Sequence, residues 1–225
     1  MKSVRERGFY WFSRVYGWLT ERLYNELAWI YDLVSWLVSL GSWDTIRKES
    51  LDYLSGQRVL EIGFGTGELL LELNRRQYPV FGLDSSQAMQ RVVTRKSRRF
   101  NVSIPRVHAY SQQIPFSDNT FDTVIATFPA GYIFNPQTWK EVSRVLRKTS
   151  DINSGKGGFI IVGICATAVG TPRLPLAVFS FGIPMDELLF KCQQLAEQAN
   201  LSFQVERSTY KGLEFPIIIT QKRDS

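Results

Sequence analysis

Val59-Leu60-Glu61-Ile62-Gly63-Phe64-Gly65-Thr66-Gly67-Glu68 is an apolar strand that stops in a glycine-spaced turn and restarts as a helix. Glycine at every second position costs conformational freedom, so a chain carries it where the backbone turns sharply or approaches another group closely. Arg58 to Ile62 reads as a short buried strand, and Leu69, Leu70, Leu71 and Leu73 supply a helix that packs back on the sheet. Unpaired N–H groups and a partial positive charge at that helix N-terminus attract a polar or anionic ligand group. A tight βα turn that binds nothing is the competing reading, because glycine punctuation is common in α/β proteins.

Tyr78 to Leu83 reads as a second strand with Asp84 at its carboxyl end. It stands about twenty residues after Gly63, the offset at which dinucleotide folds place an acidic residue on ribose hydroxyls. An ionised carboxylate is acceptor-only and suits two neighbouring hydroxyls. Capping the helix that begins near Ser85 and Ser86 is the other role open to it. The turn itself disfavours NAD. The fingerprint G-x-G-x-x-G needs its third glycine at position 68, which is Glu, and the actual glycine comes one residue early at Gly67.

Leu60-Glu61-Ile62-Gly63-Phe64-Gly65-Thr66-Gly67 resembles motif I of the class I S-adenosylmethionine-dependent methyltransferases, L-[DE]-[IVL]-G-x-G-T-G. Ser111-Gln112-Gln113-Ile114-Pro115-Phe116-Ser117-Asp118-Asn119-Thr120-Phe121-Asp122 is similar to that family's A-x-x-L-P-F-x-D-x-[ST]-F-D segment before the fourth strand. Glu141-Val142-Ser143-Arg144-Val145-Leu146 resembles its E-x-x-R-V-L helix. The likeness runs from about residue 57 to 165 and implies a Rossmann-like α/β fold. In that fold a seven-stranded sheet of order 3-2-1-4-5-7-6 carries helices on both faces. It also implies S-adenosylmethionine as cofactor, with S-adenosylhomocysteine as product.

Carried over by position, the resemblance assigns Gly63, Gly65 and Gly67 to the methionine and ribose side of the cofactor. Asp84, with Ser85 beside it, takes the ribose hydroxyls. Glu61 lies beneath the amino-acid end, and Thr127 at the end of the fourth strand completes that side. Tyr110, Ser111, Gln112 and Gln113 lie along adenine. Family members usually carry G-D-A where this chain has Ala109-Tyr110-Ser111, so the usual acceptor for the adenine amino group is missing. Tyr110 either stacks on or donates to adenine, or is a partly buried strand-end tyrosine.

With 225 residues, 44% of them hydrophobic, the chain suits one α/β domain with additions. The reading divides it into residues 1–50, an amphipathic helical lid or membrane-contacting segment, and residues 51–225, the methyltransferase domain. Gly158 to Ile164 reads as the fifth strand and Asp186 to Asn200 as a helix. Leu201 to Arg207 and Glu214 to Gln221 read as a closing antiparallel hairpin through Lys211-Gly212. Lys148 to Lys156 reads as a loop. Cys165, Cys192 and the single His make no metal site. Buried free thiols and a reducing cytoplasm are expected, with peripheral attachment to the inner membrane face as an addition. His108 reads as a satisfied strand histidine rather than a base.

Five of the six tryptophans (Trp11, Trp18, Trp29, Trp36, Trp43) fall in the first 50 residues, among Arg5, Arg7, Arg14 and Arg22. Asn25, Glu26, Asp32, Ser35 and Ser39 interrupt the apolar run Leu23 to Leu40 and argue against a membrane span. An interfacial amphipathic helix on anionic lipid and a lid over the cofactor are both open readings. Tyr31-Asp32, then Ser39-Leu40-Gly41 and Arg47, is similar to the lead-in of quinone C-methyltransferases and bacterial phospholipid N-methyltransferases. The apolar loop Cys165 to Pro184 is expected to roof a lipid-accepting pocket or to pack in the core. The net charge of +6 includes Arg91, Arg95, Lys96, Arg98 and Arg99, read as a solvated helix face, which makes nucleic acid a weak candidate partner.

The sequence thus points to methyl transfer onto a hydrophobic or lipid-like small acceptor, either a phospholipid head-group amine or a quinone. Tyr24, Tyr31 and Tyr132 are the candidates for positioning it. The competing classes are a cofactor-binding domain without catalysis, a methyltransferase of a soluble small molecule or RNA, and an NAD-dependent oxidoreductase.

Overall fold

In the computed structural model the strands whose residues are buried on both faces lie at the middle of one sheet. The described residues are 42–148, 157–165, 167–168 and 184–223. Strand β1 (Val59–Ile62) is buried throughout, as are β4 (Thr123–Thr127) and β5 (Gly158–Val162). A parallel sheet covered on both faces demands such continuous apolar runs. Strands β2 (Val80–Asp84) and β3 (Arg106–His108) extend the sheet on the other side of β1. These five strands are parallel, with Glu61 opposite Gly82 on β2 and Ile125 on β4. A two-residue strand β6 (Thr167–Ala168) was not expected; it pairs with Glu214 and Leu213. The remaining strands are β7 (Gln204–Tyr210) and β8 (Leu213–Thr220).

The order is β3-β2-β1-β4-β5-β8, with β7 on the outer side of β8 and both antiparallel to their neighbours. Leaving the short β6 out of the count, this is the expected order 3-2-1-4-5-7-6. The β7–β8 hairpin turns at Lys211 and Gly212, with φ of +49° and +76°. Two positive φ values in a two-residue loop match the right-handed twist of the flanking strands. Strand β7 begins three residues later than the sequence pattern indicates. Leu201 donates its N–H to Ala196 O at 2.9 Å and closes the preceding helix, keeping only an isolated antiparallel bridge to Lys222.

Among the described residues five α-helices cover the two faces. Helix α1 (Ser42–Lys48) sets Ile46 against Ile160, Val162, Phe215, Ile217 and Ile219. Helices α2 (Glu68–Arg75) and α3 (Gln87–Phe100) bury Leu69, Leu70, Leu73, Met89 and Val93 with Val59 and Ile125. Helices α4 (Pro136–Val145) and α5 (Met185–Gln198) cover the opposite face through Trp139, Val142, Leu188 and Cys192, against Leu60, Phe159 and Ile161. Cys165 and Cys192 are both buried thiols, and burial raises them to about 11 and about 12. Residues 1–41, and with them Tyr24, Tyr31 and most of the proposed lid, lie outside the described residues. So do residues 149–156 and all but a few of the loop from Cys165 to Pro184.

Trp139 ties α4 to the sheet: its Nε1–H donates to Ile133 O at 2.7 Å and its ring meets Phe159 edge-on, centroids 5.2 Å apart. Trp139→Phe removes the donor and leaves a buried carbonyl unpaired. It is expected to lower the unfolding free energy by about 2 kcal/mol. A fall in the urea midpoint at unchanged slope checks this.

Candidate functional site

The strand order reverses between β1 and β4, so their carboxyl ends open a crevice of the kind where open α/β sheets take ligands. The glycine turn forms one wall. Gly63, Gly65 and Gly67 all have positive φ, at +68°, +53° and +77°. A side chain at Gly63 would collide with the Tyr132 hydroxyl, 2.5 Å from an ideal Cβ. Gly65 differs: among the described residues no atom lies within 4 Å of its ideal Cβ, so its backbone faces open space there. The turn is fastened below by Gly63 N–H to Leu83 O at 2.7 Å and sideways by Gly65 N–H to an Asp84 carboxylate oxygen at 2.8 Å.

Asp84 is buried and its second oxygen accepts the Ser86 N–H at 2.8 Å. Burial pushes its carboxyl above the usual range, against the two N–H donors and the charge of His108. Each oxygen keeps further acceptor capacity, so both roles open to Asp84 are compatible. Ser85 is exposed; its carbonyl meets His108 Nε2 at 2.8 Å, so the satisfied strand histidine is what the structure contains.

Glu61 is the most unusual group of the site. Only 1% exposed, it lies on the α2 face of β1, and its Oε2 has no hydrogen-bond partner. Burial raises its carboxyl to about 8, with Asp84 adding to the rise. The Arg47 charge, the Thr127 hydroxyl and the Leu70 N–H pull the other way. A buried, unpaired acceptor beside an open backbone turn fits a ligand that brings a cationic donor to that spot. Arg47, from the end of α1, stands over the Phe128 ring, 6.0 Å from its centroid. Phe128 follows Thr127 with φ +48°, an uncommon conformation for a bulky residue, and donates its N–H to Val162 O at 2.8 Å.

Tyr132, in the short helical turn Gly131–Phe134, donates its hydroxyl to Ile62 O at 3.0 Å. It therefore fixes the end of β1 beneath Gly63. The adenine-edge set divides. Tyr110 is 69% exposed and Gln113 is exposed, with the Gln113 N–H closing a turn on Tyr110 O at 3.0 Å. Tyr110 is thus not the partly buried strand-end residue of the alternative reading. Gln112 is half-buried, whereas Ser111 is buried and its hydroxyl pairs with Thr138 at 3.1 Å, facing α4.

Two positioning groups escaped the sequence reading. Lys96 is no solvated cation: its ammonium reaches Thr66 O at 3.1 Å and the Glu68 carboxylate, pinning the glycine turn to α3. Arg144 donates to Ile114 O, Phe116 O, Asp118 and Glu141, each at 2.8 Å, while Glu141 accepts the Ile114 N–H at 2.8 Å. The signal was the Glu-x-x-Arg spacing, which puts both side chains on one helix face. Among the described residues no group of His, Cys, Asp or Glu is arranged to hold a metal ion.

Residues 59–149 match the family described as "Methyltransferase domain". The chain is 26% identical over 140 residues to the ubiquinone/menaquinone biosynthesis C-methyltransferase of Blochmanniella floridana, covering 58% of this chain and 55% of that protein. It is also 26% identical over 211 residues to the demethylmenaquinone methyltransferase of Mycobacterium tuberculosis, covering 86% and 84%. Among solved structures it resembles the geranyl diphosphate C-methyltransferase of Streptomyces coelicolor, determined with Mg2+, geranyl diphosphate and S-adenosyl-L-homocysteine. The TM-score is 0.59 at 13% identity, over 80% of this chain and 79% of that one.

The Glu61 carboxyl gives the unliganded protein a pH signature. Because its pKa is higher folded than unfolded, its contribution is full below about 4.5 and is lost as pH rises through about 8. Unfolding free energy should fall by a few kcal/mol across that window, and Glu61→Gln should flatten the fall. Chemical denaturation at stepped pH values checks both.

Proposed function

We propose that the chain, whose residues 59–149 match a methyltransferase domain, is a class I S-adenosylmethionine-dependent methyltransferase that methylates a hydrophobic acceptor, a quinone ring first and a phospholipid head-group amine as the alternative. The observation that carries the quinone reading is the 86% of this chain aligned with demethylmenaquinone methyltransferase, an alignment that extends beyond the methyltransferase-domain match at residues 59–149. The Trp- and Arg-rich residues 1–50 support a hydrophobic acceptor met at an anionic lipid surface. Among the described residues no helix is long and apolar enough to cross a membrane.

S-adenosylmethionine supplies an activated methyl group on a sulfonium, a good leaving group. The chain's own task is therefore binding and orientation. Glu61 is proposed to receive the ammonium of the amino-acid end, and its unpaired Oε2 is the structural reason. Gly63, Gly65 and Gly67 let the backbone pass close to the ligand, and Asp84 holds the ribose hydroxyls. Tyr110 and Gln113 lie free to border adenine, with Gln112 behind them. Tyr132 sets the position of the crevice floor, and Tyr24 and Tyr31 are proposed to orient the acceptor. A base is needed only where the acceptor loses a proton, and His108 is engaged elsewhere.

Incubation with methyl-labelled S-adenosylmethionine, a demethylated quinone, phosphatidylethanolamine vesicles and RNA separates the acceptor classes. Label in the quinone fraction is expected. Label confined to RNA or to water-soluble amines sinks the hydrophobic-acceptor reading. In the same preparation Gly65→Arg, which fills the open space beside the turn, should weaken S-adenosylhomocysteine binding about 100-fold by calorimetry. Unchanged affinity refutes the turn assignment.

A further inference from the structure

At the end of α3 away from Asp84 lies a cleft of about 410 Å3, lined by Thr94, Ser97, Arg98, Asn101, Ser103 and Arg106 among others. Ser97 is 11 residues beyond the Ser86 cap of α3, roughly 16 Å along the helix axis from the Asp84 end. The cleft is thus separate from the crevice at the carboxyl ends of β1 and β4. Among the described residues no acidic side chain lines it.

Its polar groups are biased toward donors. Arg106 is held across the floor, giving Nη2–H to Thr94 Oγ1 at 2.6 Å and Nη1–H to Ile104 O at 3.1 Å. Its Nε–H remains buried without a partner. Ser97, only 8% exposed, has a hydroxyl with no partner either. Two carbonyls of the helix end are occupied: Ser97 O accepts the Val102 N–H at 3.0 Å and Arg98 O accepts the Asn101 N–H at 3.3 Å. Ser103 O is taken by Asn74 Nδ2 at 3.3 Å, which steadies the far wall. Arg98, with Arg95 and Arg99 nearby on α3, adds exposed positive charge at the rim.

Two guanidinium groups, a buried hydroxyl and a buried unpaired N–H around one concavity, with Ser97 O, Arg98 O and Ser103 O already satisfied, suit a compact oxyanion. We propose that this cleft binds a phosphate group, carried by a small free phosphate compound or by an anionic lipid head group. The site is independent of the cofactor site and of the acceptor reading above.

The full chain, labelled with 15N, is titrated with inorganic phosphate at constant ionic strength set by chloride. Saturable amide shifts confined to residues 97–106 are expected, and Arg98→Glu, an exposed change, should raise the phosphate Kd about tenfold or more. S-adenosylhomocysteine affinity of the Arg98→Glu protein should stay at the unmodified level, separating loss of this site from loss of fold. Sedimentation with vesicles of phosphatidic acid in phosphatidylcholine, abolished by Arg98→Glu, identifies a head-group source. Phosphate shifts without sedimentation identify a free phosphate source. Shifts that do not saturate by about 50 mM, spread over the surface, or survive Arg98→Glu overturn the proposal.

Discussion

The hydrogen bond from Gly65 N–H to the Asp84 carboxylate, 2.8 Å long, is the constraint on which the ligand crevice depends. It joins the turn after β1 to the end of β2, so two elements 19 residues apart in sequence present one surface. Asp84 is itself buried and its other oxygen is held by Ser86 N–H, so the carboxylate is a fixed strut with acceptor capacity to spare. The rest follows from that geometry. Tyr132 supports the turn from beneath at Ile62 O, and Lys96 ties it to α3 through Thr66 O. Among the described residues the side at Gly65 is left open to a ligand.

A second constraint is electrostatic. Glu61 points to the α2 face of the central strand, where burial disfavours its charge and only partial compensation comes from Arg47, Thr127 and the N–H of Leu70. Replacing Glu61 by an apolar residue would serve the core better. Its retention in such a place makes sense when a cationic partner arrives from outside the chain, which couples folding energetics to ligand binding. Arg47 has a structural meaning here: the end of the first 50 residues brings a positive charge to the cofactor end of β1 while Ile46 anchors α1 on β5 and β8.

The loop from Ile114 to Asp118 is held by a different device. The Glu141 and Arg144 side chains grip its N–H and carbonyl groups from α4, so the segment needs no secondary structure of its own to stay in place. Charge-assisted hydrogen bonds to backbone make that clamp stiffer than an exposed ion pair.

Much of this was legible in the chain itself. The apolar runs at β1, β4 and β5, the glycine spacing at 63, 65 and 67, and Asp84 at its offset determined the sheet and the ligand end of it, because strand burial and turn geometry are local properties of sequence. Lys211-Gly212 marked the closing hairpin for the same reason. Tertiary structure alone decided which polar groups are spent internally. Ser111 looks from sequence like an adenine contact, yet its hydroxyl turns to Thr138 on α4. Lys96 reads as one solvated cation among five and is instead a brace for the turn. Arg47 and Glu61, 14 positions apart, influence each other only because α1 docks on the face toward which Glu61 points. Hydrophobic periodicity records which side of an element is buried; the partner of a particular donor or charge depends on elements distant in the chain, and only packing brings them together.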